Sequence, residues 1–188
     1  MQDNKEDKFI WIKDIINTNV VSKLRGKTFS NIIDVGTTKG SLVTKLKTIL
    51  TESRYFAYSY VKKESINEIA DVVILNNIEE VNKHNYELIL SVFDIHSMNS
   101  LEINEFLKFI DSISDSETTV LISDIESSNF LSETFLAIAK LFNKRIKTIV
   151  PKKDIIQMIQ NMGYVISDND SYKINNVWSA WIITCKKN

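Results

Sequence analysis

Glycine is scarce in this chain, and its placement constrains the fold more than any other feature. Of 188 residues only four are glycine, Gly26, Gly36, Gly40 and Gly163, and two of these fall within five residues of one another. They sit in the stretch Asn31 to Leu46, NIIDVGTTKGSLVTKL. Ile32 and Ile33 begin a short apolar run of strand type that Asp34-Val35-Gly36 closes. After Gly40 the period changes: Leu42, Leu46, Ile49 and Leu50 fall at i, i+4, i+7 and i+8, one face of a helix. Glycine permits positive φ and lets another group approach the backbone closely. A glycine-poor chain that clusters two at a strand-to-helix turn therefore points to a small-molecule site over a helix N-terminus.

The rest of the chain repeats that alternation. Residues 8 to 24 carry Ile12, Ile15, Ile16 and Val20 at near-helical spacing, and Gly26 follows as a stop. Arg54 to Val61, Asp71 to Leu75, Tyr86 to Phe93 and Thr118 to Ile122 read as strands, the last ending in Ser123-Asp124. Between them KKESINEIA and Leu101 to Ser114 read as helices, and Leu131, Phe135, Ile138 and Phe142 share one helical face. Pro151 opens a further helix that Gly163 closes, where helix geometry favours each residue. Tyr164 to Ser167 and Val177 to Cys185 then form a hairpin across the polar turn DNDSYKINN. The prediction is an α/β fold: a doubly wound, mostly parallel seven-stranded sheet with a C-terminal antiparallel hairpin and helices on both faces. We read residues 1–188 as a single domain, with 1–26 an N-terminal helix and 27–188 a Rossmann-like core.

Charge and cysteine usage narrow the function classes. A net charge of −1 gives no global case for nucleic acid, and the lysine clusters, such as Lys144 to Lys147, read as solvated edges. The single Cys185 excludes a disulfide framework and a cysteine zinc site, and it ends an apolar run where burial is expected. The N-terminus MQDNKEDK is too acidic for a signal peptide, and no apolar run reaches the roughly 20 residues of a membrane span. A cytoplasmic protein without metal or membrane partner is the expectation. His84, in the polar stretch NKHN, reads as a surface residue.

Neither GxGxxG nor a P-loop is present. The turn instead resembles motif I of the class I methyltransferases that use S-adenosylmethionine, (D/E)xGxGxG, with Asp34, Gly36, Thr38 and Gly40 at its positions and threonine replacing the middle glycine. The element order is similar to that family's seven-stranded core over nearly the whole chain. YELILSVFDIHSM resembles the fourth-strand motif, with Ser91 and His96 at its small and histidine places, and Gly163-Tyr164 stands for the usual Gly-Phe. The resemblance implies S-adenosylmethionine as cofactor, its methionine and ribose parts lying over the glycine loop. It implies that Ser59 stands at the end of the second strand, where the family keeps an acid for the ribose hydroxyls. It also places Asn76 and Asn77 near the adenine amine. Thr38 and Ser59 depart from the pattern, and both leave retention of the cofactor open.

Methyl transfer asks a site to align nucleophile, methyl and sulfur, to exclude water, and to remove a proton where the nucleophile carries one. His96, just past the fourth strand, is the candidate base, the more ordinary reading being a histidine that packs or caps at a strand-to-helix loop. Asp94 is the candidate to orient His96 or the substrate, the alternative being a turn cap, and Asp124 follows a strand on the same edge. Asp34 is expected to organise the glycine loop, with Lys39 pointing outward. Trp178 and Trp181, with Tyr172, line either a substrate mouth or the core, the two tryptophans on opposite layers. The functional expectation is a methyltransferase for a small or carrier-bound molecule, gripped by the N-terminal helix and the loops or supplied by a partner protein. The alternatives are a catalytically inactive pseudo-methyltransferase serving as scaffold, partner subunit or docking domain, and a nucleotide or NAD-type binder.

Overall fold

The computed structural model describes residues 10–36, 41–60, 69–127, 147–176 and 178–188. Thr38, Lys39 and Gly40, the short helix expected in KKESINEIA and the helix expected from Leu131 to Phe142 fall wholly or largely outside these ranges.

Seven strands form one sheet: β1 (Asn31–Asp34), β2 (Arg54–Tyr58), β3 (Val72–Leu75), β4 (Leu88–Val92), β5 (Thr119–Ser127), β6 (Tyr164–Lys173) and β7 (Trp178–Lys187). Their order is β3-β2-β1-β4-β5-β7-β6. The first five strands pair in parallel, and β7 is antiparallel to both β5 and β6.

The strands are apolar on both faces because each face carries helices. Ile33, Ile89 and Val120 point to one layer, covered by α4 (Ser100–Ser112) and α5 (Lys152–Asn161) through Phe106, Leu107, Ile110, Ile155 and Ile159. Their neighbours Ile32, Leu88, Leu90 and Leu121 point to the other, covered by α1 (Ile10–Leu24) and α2 (Ser41–Leu46) through Ile12, Ile16, Val20, Leu42 and Leu46. Helix α3 (Ile78–Val81) follows β3. Trp181 lies in the first layer and Trp178 in the second, both buried, so the pair serves the core on opposite sides of β7. Cys185 is fully buried, which pushes its thiol up to about 12.

Several boundaries differ from the sequence reading, each for a tertiary reason. β5 continues past Asp124 to Ser127 because β7 pairs with it along nine positions. The polar run 168–173 is strand rather than turn: β6 is the edge of the sheet, and its outer residues face solvent, where hydrophobic alternation is not required. β2 stops at Tyr58, so Ser59 lies just beyond the strand. Regular α2 ends at Leu46, although Leu50 still donates to the Leu46 carbonyl at 2.9 Å and stays buried. His84 is half-buried, its ring 4.5 Å from that of Phe56, so it packs instead of standing on the surface. No helix among the described residues is long and apolar enough to cross a membrane.

Candidate functional site

Strand order reverses between β1 and β4, with β2 and β3 on one side and β5, β7 and β6 on the other. Open α/β sheets bind ligands at the carboxyl ends of the strands at such a switch point. Here the tips of β1 and β4 bring Asp34 to Gly36 beside Ser91 to His96, and Val35 extends the pairing by donating to the Leu90 carbonyl at 2.9 Å.

Asp34 is buried, and its Oδ1 accepts the Gly36 N–H at 3.3 Å, closing the turn on itself. The reason for glycine at position 36 is steric. A Cβ there would stand 1.7 Å from Asp94 Oδ2, so the Asp94 carboxyl lies directly against the Gly36 backbone. Ser91 Oγ donates to that same Oδ2 at 3.2 Å. Asp94 is 7% exposed, and burial, reinforced by the charges of Asp34 and Asp124, pushes its carboxyl up to about 7 against the opposing pull of Lys13 and His96. A buried carboxylate near others loses hydration and meets repulsion, so taking up a proton relieves both costs.

The residue before it, Phe93, has φ of 66°, a left-handed conformation that costs a bulky L-residue on the order of 1–2 kcal/mol. Two contacts hold it: its N–H donates to the Ser123 carbonyl at 2.8 Å, and its ring lies 4.2 Å from that of His96. Beyond it a 3-10 turn (Ile95–Ser97) carries His96 beside Asp124 of β5. There Nδ1 lies 2.9 Å from Asp124 Oδ1, and the His96 backbone N–H donates to Asp124 Oδ2 at 3.0 Å. Both residues are buried, so water competes little for the pair. One carboxylate thus grips the histidine by ring and by backbone. When Nδ1 carries the proton in such a pair, Nε2 holds the lone pair suited to accept another. The His96 carbonyl in turn accepts from the backbone of Lys147 and Thr148, tying the turn to the chain that leads into α5.

The outer half of the same edge is built differently. Tyr60 donates its N–H to the Val35 carbonyl at 3.2 Å, while the rings of Tyr58 and Tyr60 pack on Phe109 and Phe106 of α4. Ser59 between them is half-buried and brings no charge. Asn77 caps α3, its side chain accepting the Glu80 N–H at 2.9 Å, and the Asn76 N–H donates to the Glu80 carboxylate at 2.8 Å. Both asparagines are exposed and engaged with their own helix.

Of the residues singled out in the sequence, the structure gathers Asp34, Gly36, Ser91, Asp94 and His96 at the β1–β4 tips. Ser59, Asn76 and Asn77 stand apart on the β2–β3 side. The partner of His96 is Asp124 and not Asp94, because the turn at Phe93 directs Asp94 back onto Gly36. Asp124 carried a signal, its place after a strand on the same edge. Phe93 and Lys13 carried none, since a positive φ and a long-range charge are invisible in a string of letters. No group of three or more His, Cys, Asp or Glu suited to a metal ion occurs among the described residues.

For S-adenosylmethionine the fit is divided. Asp34, Asp94 and Asp124 make the inner half acidic, which suits a ligand carrying a sulfonium and an ammonium. At the outer half, Ser59, Asn76 and Asn77 bring no charge of their own, and the carboxylate described there, that of Glu80, is engaged by Asn76.

The strand order and the site at its reversal can be compared with solved structures. The mitomycin 7-O-methyltransferase MmcR superposes with a TM-score of 0.72 at 12% identity, over 94% of this chain and 54% of that one. This chain has the class I methyltransferase fold. Human N-acetylserotonin methyltransferase, solved in complex with S-adenosylmethionine, matches with a TM-score of 0.62 at 12% identity, covering 94% of this chain and 53% of its own. The cyclopropane synthase MmaA2 from Mycobacterium tuberculosis matches at 0.65 and 9% identity, over 98% and 87%. The chain spans about half the length of the first two. Identities this low establish the methyltransferase fold and not a reaction, as the synthase among these neighbours illustrates. No protein-family model matches the sequence, and no curated protein matches it in sequence.

Proposed function

We propose that this protein binds S-adenosylmethionine at the β1–β4 crevice and transfers its methyl group to a small or carrier-bound acceptor, with His96 as the base that takes the acceptor's proton. The observation that carries this reading is the His96–Asp124 pair at the strand-order reversal, 2.9 Å from Nδ1 to Oδ1 and buried. The cofactor, when bound, supplies an activated methyl group. The chain's own tasks are then few. Asp34 and Gly36 shape the turn beneath the ligand, Asp124 holds the imidazole in one orientation, and the neighbouring apolar layers exclude water. A carboxylate that fixes a histidine in this way also stabilises the imidazolium formed when the proton arrives.

Titration calorimetry with S-adenosylmethionine and S-adenosylhomocysteine tests the reading. Dissociation constants below about 100 μM, about −5.5 kcal/mol, are expected. Absence of heat and of any thermal shift at millimolar ligand would overturn it. With binding established, Asp124→Asn should keep it yet lose the single Nδ1–H tautomer of His96 in nitrogen-15 spectra, and methyl transfer to any acceptor found should fall by about 10²-fold or more.

Ser59 favours a second reading, a protein with this fold that no longer holds the cofactor and serves as a scaffold or partner subunit. Its signature is the null calorimetric result together with a normally folded protein.

A further inference from the structure

The inner site holds one group that general-base chemistry leaves unused. Asp94 does not hold His96, which belongs to Asp124. It does not cap the 3-10 turn with its side chain either. Its carboxyl lies on the backbone of Gly36, within the glycine turn, and is held there by Ser91. Among the described residues, charged or titratable groups from four elements bear on it. They are Asp34 at the tip of β1, Asp124 on β5, His96 in the 3-10 turn and Lys13 on α1, two acids against one base and one imidazole.

On the reading that this crevice holds S-adenosylmethionine, we propose that Asp94 is its charge-reading residue. The carboxyl laid on Gly36 recognises the cationic sulfonium of the cofactor and gains nothing from the neutral thioether that remains after methyl transfer. Three observations support the assignment. The group is buried, so solvent screens its field weakly. It touches the turn over which the cofactor's methionine part would lie. It also sits between two further carboxylates, so that near neutrality it holds a proton for part of the time, at about 7. A cation arriving beside it favours the ionised form, so binding should expel that proton to solvent. A neutral sulfur leaves the proton in place. The site would therefore bind its cofactor more tightly, relative to the spent product, as pH rises through the range in which Asp94 ionises.

Calorimetry of both ligands, in buffers of different ionisation heat from about pH 6 to about pH 8, reads the effect directly. The wild type should release close to one proton per S-adenosylmethionine at about pH 6 and almost none at about pH 8, whereas S-adenosylhomocysteine should release none. Asp94→Asn, which keeps the shape and the Ser91 contact, should abolish the release. It should also reduce the preference for the sulfonium over the thioether about tenfold at about pH 8. Equal proton release by the two ligands in the wild type overturns the inference without any variant. So does release that persists in Asp94→Asn and disappears in His96→Gln. Those results leave the cofactor reading intact, whereas failure of the wild type to bind either ligand overturns both.

Discussion

The two halves of the sheet's carboxyl edge share one architecture and differ in chemistry. At the β1–β4–β5 tips three aspartates and a histidine are buried, none above 8% exposure, and each has a structural reason for its orientation. At the β2–β3 tips the equivalent positions carry Ser59, Asn76 and Asn77, neutral residues that are half-buried or exposed, the two asparagines engaged with a short helix. Buried charge is expensive to keep without partners, and in the inner half Asp124 is partnered by His96 and Asp94 by Ser91. The outer half has the same backbone frame, with neutral residues at Ser59, Asn76 and Asn77. The comparison shows that one backbone frame can carry a buried, charged cluster at one end of an edge and neutral, more exposed residues at the other.

The inner half should be the more sensitive to change. Gly36→Val places side-chain carbon on the Asp94 carboxyl; a loss of about 3 kcal/mol or more in chemical denaturation is expected. Removing the obstacle in the double variant with Asp94→Ala should recover part of it. Recovery of nothing would mean that the close approach is not what requires glycine.

Asp94 also makes stability depend on pH. Its folded-state value, about 7, lies above the ordinary carboxylate value of 3.8, so the folded chain holds the proton more tightly than the unfolded one. The associated stability is therefore complete below about pH 4 and is lost as pH rises through about 7. Asp94→Asn should raise stability at pH 8 by on the order of 3 kcal/mol and change it little below about pH 4. Melting curves at the two pH values check the sign, and a variant less stable at pH 8 would contradict it.

On the outer half, Ser59→Asp should restore a charged acceptor. A gain of about 1.5–3 kcal/mol in cofactor binding, roughly ten- to a hundredfold, is expected by calorimetry. An unchanged constant would show that the ribose position lies elsewhere. The smallest effect belongs to Asn77→Ala, which removes the cap of α3 and should cost about 1 kcal/mol. A larger loss would mean that this side of the edge is held more tightly than its exposure implies.

Within residues 31–46 the sequence by itself determined the strand and the helix that follows, because hydrophobic period is a local property. The alternation along the rest of the chain likewise determined a doubly wound sheet ending in a hairpin, since apolar strands on both faces demand helical cover. The tertiary structure alone decided which acid serves which neighbour. Asp94 and Asp124 look alike in the sequence, each polar and just past a strand. They part company because Phe93 adopts a left-handed conformation that sends one carboxyl to Gly36, while β7 pairing carries β5 far enough for the other to meet His96. The same holds for the end of the sheet, where strand 168–173 forms from residues with no strand-like pattern because an edge partnered only by β7 asks for none. Local sequence encodes what each segment prefers, whereas the partner of a buried charge depends on strand order and on one backbone torsion, and these exist only once the chain has folded.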